Sequence, residues 1–445
     1  MRCGRSCPRP GVPAGRGRTD GVRSMRNTIL MPLLGAGLLA AVMSAAAAEA
    51  GGGLRLEQVI GRVLAQNPQL QQFETEAHAA GARVRQAGQG TPYRLGLEVE
   101  NILGTGPFEG LDTPEATLSL SRVLEMGDKP GHRAELARAR LGLLRTEQDA
   151  RRLDVLAAAA RQFVRVAGLQ QQLELARDEL ELVRANRESV RRRVEAGRSP
   201  DADLARAGIA VDRAELALAR VSSELDSARV GLAAQWAAIT PDFKRVEADL
   251  FRLPEVGPFE RYTTQLERNP DLARFASRAR LAETRRRLAA ARARPDVEFG
   301  GGVRYLGEGD EAALMFSASI PLGSRRRAAP HVDEADARVR LEPLQQEQQR
   351  LELHAALYAI HQRLQQARTR TRRLRSEILP AAEQVLADYT RGYAQGRYSL
   401  LDLTQARRTL LELRREALAS ATDYHLSRIE LERLIGAGPV TGDQP

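Results

Sequence analysis

The chain has 445 residues, 43% apolar, 28% charged and only 4% aromatic, with a formal net charge of +10. Scarce aromatics and abundant Ala, Leu, Arg, Glu and Gln favour long helices and coiled coils over a sandwich or an α/β enzyme core. The two cysteines, Cys3 and Cys7, exclude a disulfide framework and a cysteine-based metal site.

Residues 29–48, ILMPLLGAGLLAAVMSAAAA, form the one long apolar run. Arg23 and Arg26 precede it and Ala46-Ala47-Ala48 ends it, the charged, apolar and small-residue order of a secretory signal peptide. Residues 1–24 read as an Arg/Gly/Pro extension, which leaves Met1 and Met25 both open as starts. A retained anchor is the competing reading, disfavoured by Pro32 and the terminal alanines. Seven arginines and Asp20 fall within residues 1–48, so the remainder carries 60 basic and 56 acidic side chains, a net of +4. A nucleic-acid partner thereby loses its main support. The remainder has no apolar run long enough for a membrane helix, so it can enter a membrane only as a closed barrel.

The rest of the chain is written twice. Gln66-Asn67-Pro68-Gln69-Leu70 recurs as Arg268-Asn269-Pro270-Asp271-Leu272, and Ala196-Gly197-Arg198-Ser199 as Gln395-Gly396-Arg397-Tyr398, at shifts of 202 and 199. Each copy predicts a first helix, a strand, a loop, a second strand, a very long helix, a Gly-Arg turn and a return helix. We place the first copy at 49–252 and the second at 253–437, with a flexible tail at 438–445. The first long helix spans Gly131 to Gly197, about 100 Å at 1.5 Å per residue. That length suits a shaft crossing the periplasm. Heptad-like seams run along the long helices. In the second copy the seam reads Leu357, Ile360, Leu364, Ala367, Leu374, Ile378, Ala381 and Val385, with Pro343 and Pro380 expected to bend it. Arginine runs such as Arg285-Arg286-Arg287 and Arg372-Arg373 read as exposed faces paired with acids.

Four strands are expected, at about 93–103, 115–124, 295–306 and 312–321. Tyr93, Leu95, Leu97, Leu118, Leu120, Phe299, Tyr305, Leu314 and Phe316 fall on one side, the candidate lipid face. Arg94, Glu98, Glu100, Ser119, Ser121, Glu298, Arg304, Ser317 and Ser319 fall on the other, the candidate lumen. The same alternation fits a half-buried sheet of a soluble protein. A Gly-rich face carrying Glu98, Glu100 and Arg304 suits a channel better than a core. Four strands leave two open edges, which lipid does not tolerate, so copies must close the sheet. Two copies would give a filled eight-strand barrel and three a twelve-strand conduit; the count favours the trimer.

The ordered set of Asn-Pro pairs, Leu118-Ser-Leu-Ser-Arg-Val-Leu-Glu-Met-Gly127, Ile320-Pro-Leu-Gly323, Leu379-Pro-Ala-Ala-Glu383 and Gly396-Arg-Tyr-Ser-Leu-Leu-Asp-Leu-Thr-Gln405 resembles the TolC-like outer-membrane factors. More narrowly it resembles the CzcC-like outer component of heavy-metal efflux systems. The resemblance covers about Leu54 to Gly436. It implies an α+β fold: a homotrimeric outer-membrane barrel, four strands per subunit, continuous with a coiled-coil periplasmic tunnel. It also implies a periplasmic membrane-fusion adaptor and an inner-membrane pump of the resistance-nodulation-division type as partners. One departure stands out, because Gly127-Asp128-Lys129-Pro130-Gly131-His132-Arg133 replaces the subgroup's Gly-Gly-Lys-Arg.

By the same resemblance Asp402 occupies the periplasmic constriction, with Gln405 where a second carboxylate is common and Asp203 as the first-copy equivalent. A ring of such carboxylates would bind cations and raise its own pKa. Helix capping is the alternative, since Ser399 to Asp402 is a capping-box spacing and Ser199-Pro200-Asp201 also opens a helix. Gly197, Arg198, Ser199, Gly396, Arg397 and Tyr398 form the hairpin tips, which the resemblance assigns to adaptor contact. His354 and His361 are seven apart on one helix but lack a third ligand, so a solvated face is expected rather than a metal site. No nucleophile-elbow, Walker or zincin spacing occurs, and neither an enzyme nor a cofactor is expected. The reading is a passive exit duct for divalent heavy metals. Drug or polypeptide export, and a soluble periplasmic coiled-coil scaffold, stand as alternatives.

Overall fold

The computed structural model describes residues 53–438, except 103–104, 107–113, 268, 308 and 310. The expected leader, most of the first inter-strand loop, and residues 439–445 lie outside the described residues. The first copy contains α1 (Leu56–Gln66), α2 (Pro68–Ala87), β1 (Arg94–Glu100), β2 (Glu115–Leu124), α3 (Lys129–Glu195) and α4 (Asp201–Ala233). The second contains α5 (Phe259–Leu266), α6 (Pro270–Ala291), β3 (Val297–Leu306), β4 (Glu311–Ser319), α7 (Ser324–Arg373), α8 (Leu379–Ala394) and α9 (Leu400–Leu434).

Each copy therefore has two helices before its first strand, where the sequence pattern suggested one. The Asn-Pro pairs make the division. Proline cannot donate to the preceding turn, so one helix stops and the next starts with proline at its first position. Asn67 Oδ1 accepts from the Gln69 and Leu70 amides at 2.9 and 3.3 Å, and its Nδ2 donates to the Gln235 carbonyl at 2.7 Å. Asn269 repeats this, accepting from Asp271 and donating to the Leu434 carbonyl. Both asparagines are buried, and each pins the end of its copy's return helix to the start of α2 or α6.

The helices pack around a core midway between the sheet and the hairpin tips. In the half near the hairpin tips, α3 packs on α4 and α9, and α9 on α8. In the half near the sheet, α2, α3, α6 and α7 follow one another. Val59, Val166, Leu225, Leu232, Trp236 and Leu250 fill the first core, and Leu266, Leu357, Ile360 and Tyr424 the second. Residues 237–258 gird this level. The Gln170 amide brackets Val246, donating to its carbonyl at 3.1 Å and accepting from its N–H at 2.7 Å. Tyr424 donates to the Pro254 carbonyl, and His425 Nε2 meets the Leu250 carbonyl at 3.0 Å. Burial holds the His425 pKa below its ordinary value, so the ring is neutral there.

Several expectations need correction. The second-copy seam is buried from Leu357 to Leu374, but Ile378, Ala381 and Val385 are exposed. The cause is a π turn at Leu374–Ile378. Its wider turn inserts one residue into the helical phase, so Ala382, Leu386 and Tyr389 turn inward instead. Pro343 does not interrupt α7, which runs for 50 residues through Pro330 and Pro343. Pro343 lies on the exposed side, where water can satisfy the carbonyl it leaves unpaired. His361 is buried, not solvated: it packs against Phe259 and Tyr262, and its Nε2 meets the Gly257 carbonyl at 3.0 Å. His354 stays exposed, edge-on to Phe259. Arg286 and Arg287 share Glu283 as expected, but burial, with Arg140 and Arg338 nearby, pushes the Arg285 pKa down.

Candidate functional site

The four strands form one antiparallel sheet in the order β1-β2-β3-β4, leaving β1 and β4 as its edges. Register sorts the side chains into transverse rows. Leu97, Leu118, Val303 and Leu314 make one row and Arg94, Ser121, Gly300 and Ser317 another on the opposite face. Leu95, Leu120 and Phe316 join the first face, as do Phe299 and Tyr305; Tyr93, one residue before β1, lies against Arg122 of that face. Glu98 stands opposite Thr117, and Ser119 opposite Gly96 and Gly302, on the polar face. Ser319 pairs with Glu298 there.

The faces are inverted relative to a soluble sheet. Phe316 is 87% and Leu314 74% exposed, whereas Thr117 on the polar side is 4% exposed. Crowding explains the inversion. A Cβ on Gly302 would sit 2.6 Å from the Leu118 carbonyl oxygen, and one on Gly300 2.6 Å from Ser317 Oγ. Gly301, pointing to the apolar side between them, would meet nothing nearer than 3.8 Å. Neighbouring strands thus lean together on the polar side and splay on the apolar side. The sheet curls with its polar face concave, and glycine is the residue that admits the close approach. Arg304 ties this face together, reaching Glu100 at 3.2 Å, Glu115 at 3.3 Å and Thr117 at 3.1 Å. Arg94 lies 3.6 Å from Glu298.

At the far end, both hairpins turn through a left-handed glycine, Gly197 at φ +67° and Gly396 at φ +73°. The Arg198 amide returns to the Arg193 carbonyl, and the Arg397 amide to the Gly392 carbonyl, each at 2.8 Å. The two tips differ in their side chains. Asp402 and Ser399 form a reciprocal cap: the Asp402 amide donates to Ser399 Oγ at 3.2 Å, and the Ser399 amide to Asp402 Oδ2 at 3.0 Å. Within the single chain the Ser399 hydroxyl and amide hold the Asp402 carboxyl below its ordinary pKa. Ser199 makes no such cap. Pro200 occupies the capping position of α4, and its ring carries no acceptor for the helix's first amides. Gln405 is exposed and Asp203 half-buried.

Arg193, Tyr389 and Tyr393, which the sequence did not single out, join the tips. Arg193 Nη1 donates to Tyr393 Oη at 2.7 Å, linking the two hairpins across 200 residues. Tyr389 and Tyr398 pack with ring centroids 4.6 Å apart and planes tilted by 50°, and the Tyr398 ring lies so close over Gly392 that a Cβ there would be 2.2 Å from it. Above them, α4 and α9 border a groove of about 650 Å³ floored by α3, with Arg206, Arg213, Arg407 and Arg408 in its walls. Among the described residues no group of three or more His, Cys, Asp or Glu side chains is placed to hold a metal, and no helix is long and apolar enough to cross a membrane.

Comparison with known proteins agrees with this architecture. Over 326 residues the chain is 26% identical to the cobalt-zinc-cadmium resistance protein CzcC of Cupriavidus metallidurans, covering 73% of this chain and 78% of that protein. It is 29% identical over 305 residues to the nickel-cobalt-cadmium resistance protein NccC of Alcaligenes xylosoxydans xylosoxydans, covering 66% of each. Among solved structures, CusC superposes at a TM-score of 0.70 with 16% identity, covering 88% of this chain and 96% of that one. The outer membrane protein VceC of Vibrio cholerae superposes at 0.66 with 19% identity, covering 86% and 96%. The open-state MtrE outer membrane channel of Neisseria gonorrhoeae gives 0.69 at 17% identity, covering 86% and 89%. The outer membrane efflux protein model matches twice, at residues 59–238 and 262–437, once over each copy. The chain belongs to the outer membrane efflux protein family.

Proposed function

We propose that three copies join edge to edge into a twelve-strand barrel in the outer membrane, and that the helices continue it as a periplasmic tunnel. The observation that carries this is the curled sheet, with an exposed apolar convex face, a polar concave face and two unpaired edges. Each backbone group left unpaired in hydrocarbon costs several kcal/mol, so the edges of β1 and β4 need partners there. The helical layers support the same closure. Their terminal helices carry exposed apolar residues at heptad spacing, Ile209 and Leu216 on α4, and Ile378 at the end of the π turn with Val385 on α8. Counted from the tips, both pairs lie about 12 to 26 Å up the shaft.

The duct is passive and conducts divalent heavy-metal cations, a cargo suggested by the metal-resistance names of both relatives. Energy comes from an inner-membrane pump, and the periplasmic adaptor meets the duct at the tips around Gly197, Arg198, Ser199, Gly396, Arg397 and Tyr398. The Arg193–Tyr393 bond holds the tips shut, and Asp402 lines the constriction while capping α9.

Conductance in planar lipid films tests the reading, together with zinc and cadmium tolerance of a deletion strain. Ion-conducting insertions and a metal-sensitive strain are expected. A purified protein that never conducts would overturn the duct, and unchanged metal tolerance beside lost drug tolerance would overturn the cargo. Asp402→Ala should alter cation block; unchanged block would leave the residue a cap only.

A further inference from the structure

At the helical end of the sheet, cations fall into two groups. Lys129 is buried, and its Nζ lies 2.6 Å from Asp296 Oδ1 and 2.9 Å from the Arg294 carbonyl. Arg133 is matched by Glu125. Both of these cations are satisfied inside the fold. Arg325 and Arg326, in the first turn of α7, are exposed and have no carboxylate partner among the described residues. They stand beside the most outward apolar side chain of this rim, Leu322, which is 87% exposed. Ile320, Leu124 and Met126 are exposed at the same end of the sheet. Nearby on the apolar face, Arg122 sits over the Tyr93 ring at 4.8 Å and donates to its hydroxyl at 3.1 Å. An aromatic-arginine pair at this level marks where hydrocarbon gives way to headgroups.

From this arrangement we infer that the rim formed by Leu322, Arg325 and Arg326 binds anionic phospholipid headgroups of the leaflet on the tunnel side. The inference rests on the proposed lipid contact of the apolar sheet face. Leu322 and Ile320 enter the acyl region, and the two guanidiniums, with no internal acid to answer them, take the phosphates. Arg327 is excluded from the lipid role because it donates to the Leu322 carbonyl at 3.0 Å and so shapes the rim. Arginine suits this task, since its planar fork pairs with phosphate oxygens two at a time.

The test compares insertion of the full chain into phosphatidylcholine vesicles with and without phosphatidylglycerol, measured by flotation and by cross-linked trimer yield. Wild type should prefer the anionic vesicles, and Arg325→Gln/Arg326→Gln should lose about tenfold of that preference while still inserting into neutral ones. The charge-matched variant Arg192→Gln/Arg372→Gln, far along the shaft, should keep it. Equal preference in the rim variant, or no anionic preference in wild type, would overturn the inference and leave the duct standing. A trimer yield that falls equally in both vesicles would assign the arginines to a neighbouring copy and overturn it too. Failure to insert into either vesicle would sink the lipid-facing sheet itself, and the rim with it.

Discussion

The two hairpins descend from one pattern yet differ in their mechanics. In the first, α3 runs 67 residues without a break, and its tip turns on Gly197 with no side-chain cap. In the second, the descending helix changes phase at the π turn, and its tip is clasped by Tyr389, Tyr398 and the Ser399–Asp402 box. Repetition sets the length and the turn, and local substitution then makes one hairpin a strut and the other an articulated arm. A π turn partway down a helix is a recognised place for function to reside. Here it lets one apolar stripe serve its own fold above Leu374 and present Ile378 and Val385 outward below it.

The largest effect should come from erasing that phase change. Deleting Ser376 removes the extra residue, rotates α8 by about 100° and buries the outward stripe. Heat-resistant trimers should disappear while circular dichroism still reports a helical chain; trimers of normal yield would show the π turn to be incidental. Next, Tyr393→Phe removes the only side-chain hydrogen bond found between the two tips among the described residues. Single-channel conductance should rise, with about 0.5–1.5 kcal/mol of stability lost. An unchanged opening would free Arg193 and Tyr393 from any latching role.

A smaller, sharper contrast compares the serines. Ser399→Ala should cost about 1 kcal/mol by denaturant titration. Ser199→Ala should cost nothing measurable, because Pro200 has already displaced Ser199 from the capping position. Equal costs would mean that the tips are mechanically alike. Mildest of all is a pH effect at the equator. His425 is buried and neutral, so its folded pKa lies below the unfolded one. The stability it contributes is present above the ordinary imidazole range and fades as pH falls through the folded value. Wild type should therefore lose more melting temperature than His425→Gln as pH drops below that range; parallel losses would contradict the burial argument.

What could be read from the chain was what is local. Alternation in Leu118-Ser119-Leu120-Ser121 and the heptads of α3 and α4 depend on near neighbours, and both copies show them in the same order. The Asn-Pro pairs were visible too, but their double duty was not, because Gln235 and Leu434 lie 168 and 165 residues away. The π turn escaped because Leu374, Ile378, Ala381 and Val385 keep perfect heptad spacing on paper. His361 looked solvated because Phe259 and Tyr262 reach it from a segment about 100 residues upstream. The Arg193–Tyr393 bond left a faint trace, since each residue lies in the last turn of its helix before the tip glycine.

Native mass spectrometry of the detergent-extracted membrane particle, run alongside conductance of the same sample, bears most directly on the shared wall. Three chains per conducting particle, with conductance lost when they separate, is the predicted outcome. A particle of one chain that inserts and conducts would show that four strands can seal themselves, and would contradict the account at its root.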